Sequence, residues 1–203
     1  MKKSTIIILG VVAVIFIIAL SLYGWWVRTY NGFVQSDEGV KQAWGQVQNQ
    51  YQRRSDLIPN LVEVVKGYAT HESDVFEKVA EARSSVGKLT VTPEVLNDPQ
   101  MFKRFQEAQG AMSSALSRLL AVAENYPQLK ANENFLQLQA QLEGTENRIA
   151  TERRRFNEIV QDFNTRIRIF PSSLIAGMSG FTQKQYFEAE PGADKAPKVN
   201  FGK

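Results

Sequence analysis

The sequence contains no cysteine and a single histidine, His71. Without cysteine there is no disulfide framework, no thiol nucleophile and no thiolate metal ligand. With one imidazole, a zinc or di-iron centre would draw nearly all its ligands from carboxylates, a set that zinc rarely accepts. No strand-like alternation of apolar and polar residues occurs, so no Gly-rich phosphate loop follows a strand. A basic surplus is missing from most of the chain. Three of the 24 basic residues (Lys2, Lys3 and Arg28) stand before residue 31 with no acid among them, and the remaining 21 face 21 acidic residues. The formal charge of +3 therefore sits wholly in the N-terminal segment. The rest of the chain is not a basic domain, which argues against a nucleic-acid partner.

What the N-terminal segment does have is a long apolar run. From Thr5 to Val27 there is no charged side chain, and about 20 apolar residues suffice to cross a bilayer core. Ile6, Leu9, Val14, Phe16 and Leu20 lie inside the run, and Tyr23, Trp25 and Trp26, followed by Tyr30, form an aromatic belt where a helix would leave lipid. A cleaved secretory signal shares the basic start and apolar stretch, with Ala19-Leu20-Ser21 as a formal cleavage site. The length of the run and the bulky aromatics directly after it favour an uncleaved anchor. Lys2 and Lys3 favour a cytoplasmic N-terminus, opposed modestly by Arg28 and Lys41 on the far side. The expectation is a single-pass protein of the bacterial cytoplasmic (inner) membrane with its domain outside the cytoplasm, in the periplasm.

Beyond residue 36, apolar residues recur every three or four positions, a helical period. Val40, Trp44, Val47, Tyr51, Ile58, Leu61, Val65, Tyr68, Val75 and Val79 form one stripe, with Arg54 and Glu72 in two of its slots. Pro59 removes an amide donor and crowds the preceding turn, so this first helix is kinked or broken near it; the unbroken phase favours a kink. Residues 84–98 read as a connection. Asp98-Pro99 starts a second helix, as an N-cap followed by proline, and Tyr126-Pro127 ends it. Asn132-Glu133 starts a third, which ends at Pro171. A short helical turn comes next near Ser172–Met178, and an extended, partly mobile tail begins at Gly180.

The predicted fold is all-α: a single N-terminal transmembrane helix, then an antiparallel bundle of three to four long helices and an extended C-terminal tail. The expected divisions are a flank over 1–4, the anchor over 5–27, the bundle over 28–179 and the tail over 180–203. A helix over 99–126 is roughly 40 Å long. Descending beside the first helix, it would end near the level of Pro59. The first helix before Pro59 would then fold back as a fourth element or stand as a stalk against neighbouring chains. Trp44, Val47, Tyr51 and Arg54 are thus the candidate assembly surface, and the expectation is a homo-oligomer. Arg54 in such a seam fixes register through a partner, or else its stem snorkels to water.

Chemistry finds little support. His71-Glu72 opens like a zinc-protease HExxH motif, but Ser73, Asp74 and Val75 come next and the second histidine is absent. Glu143/Glu146 and Glu77/Glu81 share helix faces without an adjacent base or nucleophile. Arg153, Arg154 and Arg155 point about 100° apart on a helix and make no single patch. Phe156-Asn157 and Phe163-Asn164 repeat at seven residues, which sets both rings in the core and both amides on one flank, free to bridge helices or cap a loop. No catalytic residue, metal ligand or cofactor site is expected.

The chain resembles the LemA proteins. The resemblance rests on Asn31-Gly32-Phe33-Val34, Ala43-Trp44-Gly45-Gln46-Val47 and the run from Gln50 through Arg53-Arg54-Ser55-Asp56-Leu57-Ile58-Pro59-Asn60-Leu61-Val62. It continues in Tyr126-Pro127-Gln128-Leu129-Lys130-Ala131-Asn132, Thr145-Glu146-Asn147-Arg148-Ile149, the Phe-Asn repeat and Pro197-Lys198-Val199-Asn200-Phe201. Phe156 and Phe163 stand where tyrosine is common in that family. The resemblance implies a bacterial single-pass membrane protein with a helical bundle, no attributed enzymatic activity and no agreed active-site residues. It also implies a setting near HtpX-type membrane proteases or TPM-domain proteins. The leading expectation is a self-associating, membrane-anchored envelope scaffold. Its rivals are a monomeric adaptor for a membrane protease or other envelope protein, and an extracytoplasmic sensor, which the few residues before the anchor leave without an output domain.

Overall fold

The computed structural model describes residues 3–89 and 92–188. Among them it is all-α, with no strand. Helix α1 runs over Lys3–Lys66 without a break, Pro59 included. Its first part bears the apolar run, whose large side chains from Ile6 to Tyr23 are more than half exposed. Helix α2 spans Ser73–Gly87, α3 Pro99–Val122, α4 the single turn Pro127–Lys130, α5 Glu133–Arg166 and α6 Ser172–Met178. The expected start signals operate. The Asp98 carboxylate accepts from the amides of Gln100 (2.8 Å) and Met101 (3.1 Å), and the Asn132 side chain accepts from the amide of Phe135 (3.0 Å).

Two boundaries differ from expectation. The first helix does not continue to Val79: it ends at Lys66, and the chain turns through Gly67–Glu72. The stripe keeps its helical phase across the turn, which is why periodicity alone misses it. Turning back lets Val75, Phe76, Val79 and Ala82 of α2 reach the core that Ile58, Leu61 and Val65 share with Met112, Leu116 and Leu119 of α3. The connection also begins later than expected, since residues 84–87 are helical and a 3-10 turn occupies Pro93–Asn97.

The chain forms two compact units, and α1 and α5 contribute to both. Among the described residues one unit holds 43–158 with 185–188, the other 3–42 with 159–184. In the first, α2 runs back along α1, so α3 runs parallel to α1 rather than descending beside it. Phe102 and Phe105 meet Trp44, and Gln109 and Ser113 meet Arg54. Helix α5 is antiparallel to α1, with Glu146 at Arg54 and Phe156 at Trp44. In the second unit the ring of Phe181 packs on Tyr30, Phe33 and Phe163 at 5.9, 5.4 and 6.3 Å between centroids.

Candidate functional site

The stripe of α1 places Trp44, Val47, Tyr51 and Arg54 on one face at three- and four-residue spacing. All four are buried within their own chain, Trp44 and Val47 completely. Trp44 sits among Phe102, Phe105, Phe156 and Phe187 with centroids 5.2–5.9 Å away. The expectation of an uncovered stripe before Pro59 is therefore corrected. Because α2 folds back, α3 starts at the level of Trp44 and covers the residues that a descending helix would have left bare.

Arg54 is 2% exposed and is the polar centre of this unit. One guanidinium nitrogen donates to Ser113 Oγ (2.8 Å) and Glu146 Oε1 (2.9 Å). The other donates to the backbone carbonyl of Gln109 (3.4 Å) and to its side-chain carbonyl. The Tyr51 ring lies 5.1 Å from the guanidinium carbon. Of the two sequence readings, the partnered one holds and the snorkelling one does not. The groups that receive Arg54 come from α3 and α5, so one side chain fixes the register of three helices. A cavity of about 520 Å³ adjoins it, lined among others by Tyr51, Gly110, Ile149 and Arg153. The donors facing inward are already satisfied, so the arrangement suits structure better than electrophilic catalysis. His71 lies exposed on the turn before α2, and Glu72 accepts from the Tyr126 hydroxyl (3.4 Å). Among the described residues no group of three or more His, Cys, Asp or Glu side chains is placed to hold a metal ion.

The Phe-Asn repeat has a role that the sequence left open. Asn157 donates to the carbonyl of Phe187 (2.9 Å) and accepts from its amide (2.9 Å). Asn164 does the same to Lys184, at 2.9 and 2.8 Å. Each amide completes both hydrogen bonds of one residue in the extended stretch after α6. Phe187 enters the aromatic cluster around Trp44, and Arg153 lies over its ring at 4.7 Å while donating to the Glu188 carbonyl (2.9 Å). Arg153 thus holds the tail. The expected extended tail is thus extended but packed as far as residue 188; the expectation of mobility beyond it lies outside the described residues. The two Phe-Asn pairs and the phenylalanines at 181 and 187 were the available signal.

Half-buried Asp37 and buried Lys184 form a second charge pair, 2.7 Å apart. Burial pushes the Asp37 carboxyl up, but hydrogen bonds from Lys184 and Lys41 and their positive charges outweigh it and hold the group below the usual carboxylate range. Hydrogen bonds to Glu38 and Asp37 raise the Lys41 ammonium. The membrane-anchor residues Ile6, Leu9, Val14, Phe16, Leu20 and Tyr23 are 55–69% exposed on α1, and Trp25 and Trp26 are 39% and 36% exposed. The helix is long and apolar enough to cross a membrane.

Comparison with known proteins matches residues 43–201 to the LemA family model. The matched range excludes the apolar run and includes the packed tail. Magnetosome protein MamQ 2 of Paramagnetospirillum magneticum is 26% identical over 211 residues, covering 93% of this chain and 74% of that protein. Magnetosome protein MamQ of Magnetospirillum gryphiswaldense is 27% identical, covering 81% and 66%. Protein LemA of Metamycoplasma hominis is 22% identical, covering 79% and 70%.

Proposed function

The chain belongs to the LemA family, and on that premise we propose that it is a single-pass protein of the bacterial cytoplasmic membrane whose extracytoplasmic helical bundle is a non-enzymatic scaffold for other envelope proteins. One observation carries the reading. Helix α1 is unbroken from Lys3 to Lys66, so the element that exposes an apolar surface suited to lipid also supplies the central stripe of the bundle. The bundle's polar groups are spent on holding it together: Arg54 on register, Asn157, Asn164 and Arg153 on the tail.

Because Trp44, Val47 and Tyr51 are covered by their own chain, the adaptor reading now stands ahead of self-association through that stripe. A membrane metalloprotease of the HtpX type or a TPM-domain protein is the partner class that the family resemblance suggests. Photo-crosslinkers placed at the exposed positions Met101 and Leu136 of the full-length protein in native membranes test this. A discrete band with a second protein is expected. Self-crosslinks alone, together with an oligomeric mass by light scattering in detergent, would replace the adaptor by a self-assembling scaffold. Metal-dependent hydrolysis by the purified protein would overturn both.

A further inference from the structure

Beyond residue 34 the described chain exposes eight large apolar side chains, and four of them fall within ten residues: Ile169, Phe170, Leu174 and Met178. These four are 54–76% exposed, whereas Ile167, Ile175 and Ala176 of the same stretch are buried. Leu174 and Met178 are four residues apart on α6 and share its outer face, while Ile175 and Ala176 turn inward. The chain leaves α6 through Gly180, whose φ of 76° is open to glycine with little strain. The amide of Phe181 then reaches the Ala176 carbonyl (3.1 Å) and that of Gly180 the Gly177 carbonyl (3.4 Å), a Schellman cap that aims Phe181 inward. The apolar corner is held in place from both sides. Its exposure results from this packing, and contiguous exposed apolar groups of this kind mark contact sites.

The height of the corner along α1 identifies the contact. Within this unit Phe33 of α1 and Phe163 of α5 pack on the same ring, that of Phe181. The same ring also packs on Tyr30, and α5, antiparallel to α1, ends at Arg166 just past Phe163, so the corner lies on the Trp26 side of Phe33. That side carries the aromatic belt of Tyr23, Trp25, Trp26 and Tyr30, where α1 would leave the hydrocarbon. Charge agrees with the placement. Neither the stretch from Met1 to Ser36 nor that from Phe163 to Phe187 contains an acidic residue. Arg28 and Arg168 are exposed there, while Arg166 is paired with Asp162 at 2.8 Å.

The geometry points to the α5–α6 corner as a second membrane contact: Ile169, Phe170, Leu174 and Met178 seat in the headgroup–acyl boundary of the leaflet from which α1 emerges. The inference rests on the reading that α1 spans the membrane. Lipid is favoured over a protein partner because the corner continues the belt of α1, and lipid already surrounds that belt. The two free arginines lie at the level of anionic headgroups, a sign that suits a phospholipid surface.

The absence of native cysteine allows a direct test with the full-length chain in vesicles containing phosphatidylglycerol. Single variants Phe170→Cys, Met178→Cys, Leu20→Cys and Leu136→Cys carry a nitroxide, and each is probed by oxygen, which partitions into lipid, and by a water-soluble nickel complex. All four positions are exposed, and circular dichroism verifies that each variant folds. Labels at 170 and 178 are expected to favour oxygen at a depth of roughly 5–10 Å below the headgroups, with position 20 deeper and position 136 in water. A lipid-accessible position 20 with aqueous positions 170 and 178 overturns the corner and leaves the spanning reading intact. Shielding of 170 and 178 from both reagents indicates a protein partner or second copy and also overturns it. An aqueous position 20 removes the spanning reading, and the inference with it.

Discussion

A guanidinium at 2% exposure persists only where its inward N–H groups meet acceptors, and Arg54 meets Ser113, Glu146 and Gln109. Arg54→Met should lower stability by about 2 kcal/mol, less than the roughly 3–5 kcal/mol for breaking a fully buried pair, because half-exposed Glu146 can rehydrate. A shift of the urea midpoint of the full-length protein measures this; a neutral result would mean that Arg54 does not hold the three helices in register. Asp37 gives a pH-dependent counterpart. Its folded-state pKa is lowered from an unfolded value of about 3.9. Its contribution is therefore complete above that value and is lost as pH falls through the lowered folded pKa. The stability gap between the native protein and Asp37→Asn should be constant near neutral pH and close in acid, read from urea midpoints at each pH. A gap that widens in acid would reverse the sign assigned to the Lys184 pair.

Among the elements, the stretch 181–188 depends most on contacts distant in sequence. It has no ladder or helix of its own, and its backbone is satisfied by Asn157, Asn164, Gln106 and Leu96. Asn164→Ala removes both bonds to Lys184. At a net value of about 1 kcal/mol for each of the two hydrogen bonds, trypsin cleavage after Lys184 should quicken roughly thirtyfold where local opening precedes cleavage. An unchanged rate would show that ring packing alone holds the tail. Helix α1 shows the opposite dependence. Its lipid-length run and its stripe were legible residue by residue, and it passes through Pro59 unbroken, in keeping with the preserved phase. The turn after Lys66 was not legible, because a six-residue turn of nearly helical phase leaves the apolar periodicity intact.

At the scale of the whole molecule, topology in the membrane decides which compartment holds any partner. Lys2 and Lys3 before the apolar run set the expected direction, with Arg28 and Lys41 as weaker opposition. A Lys203→Cys variant in spheroplasts should react with a membrane-impermeant thiol reagent without permeabilisation. Labelling only after lysis would place the bundle in the cytoplasm and redirect the search for partners there.

By itself the sequence determined the helix class, the apolar span, the N-caps at Asp98 and Asn132 and the family, because each depends on local spacing or on a contiguous motif. It also marked Arg54 and the two Phe-Asn pairs as unusual. Tertiary structure alone decided that α3 runs parallel to α1 and covers Trp44. It also decided that the asparagines clamp the tail and that Phe187 completes the aromatic cluster. These contacts join residues 20 to 143 positions apart, and a direction of approach is not encoded in the period of any one helix. Whether a stripe is buried depends on which neighbour the chain's turns bring to it. Here one turn at residues 67–72 changes an expected assembly surface into a core.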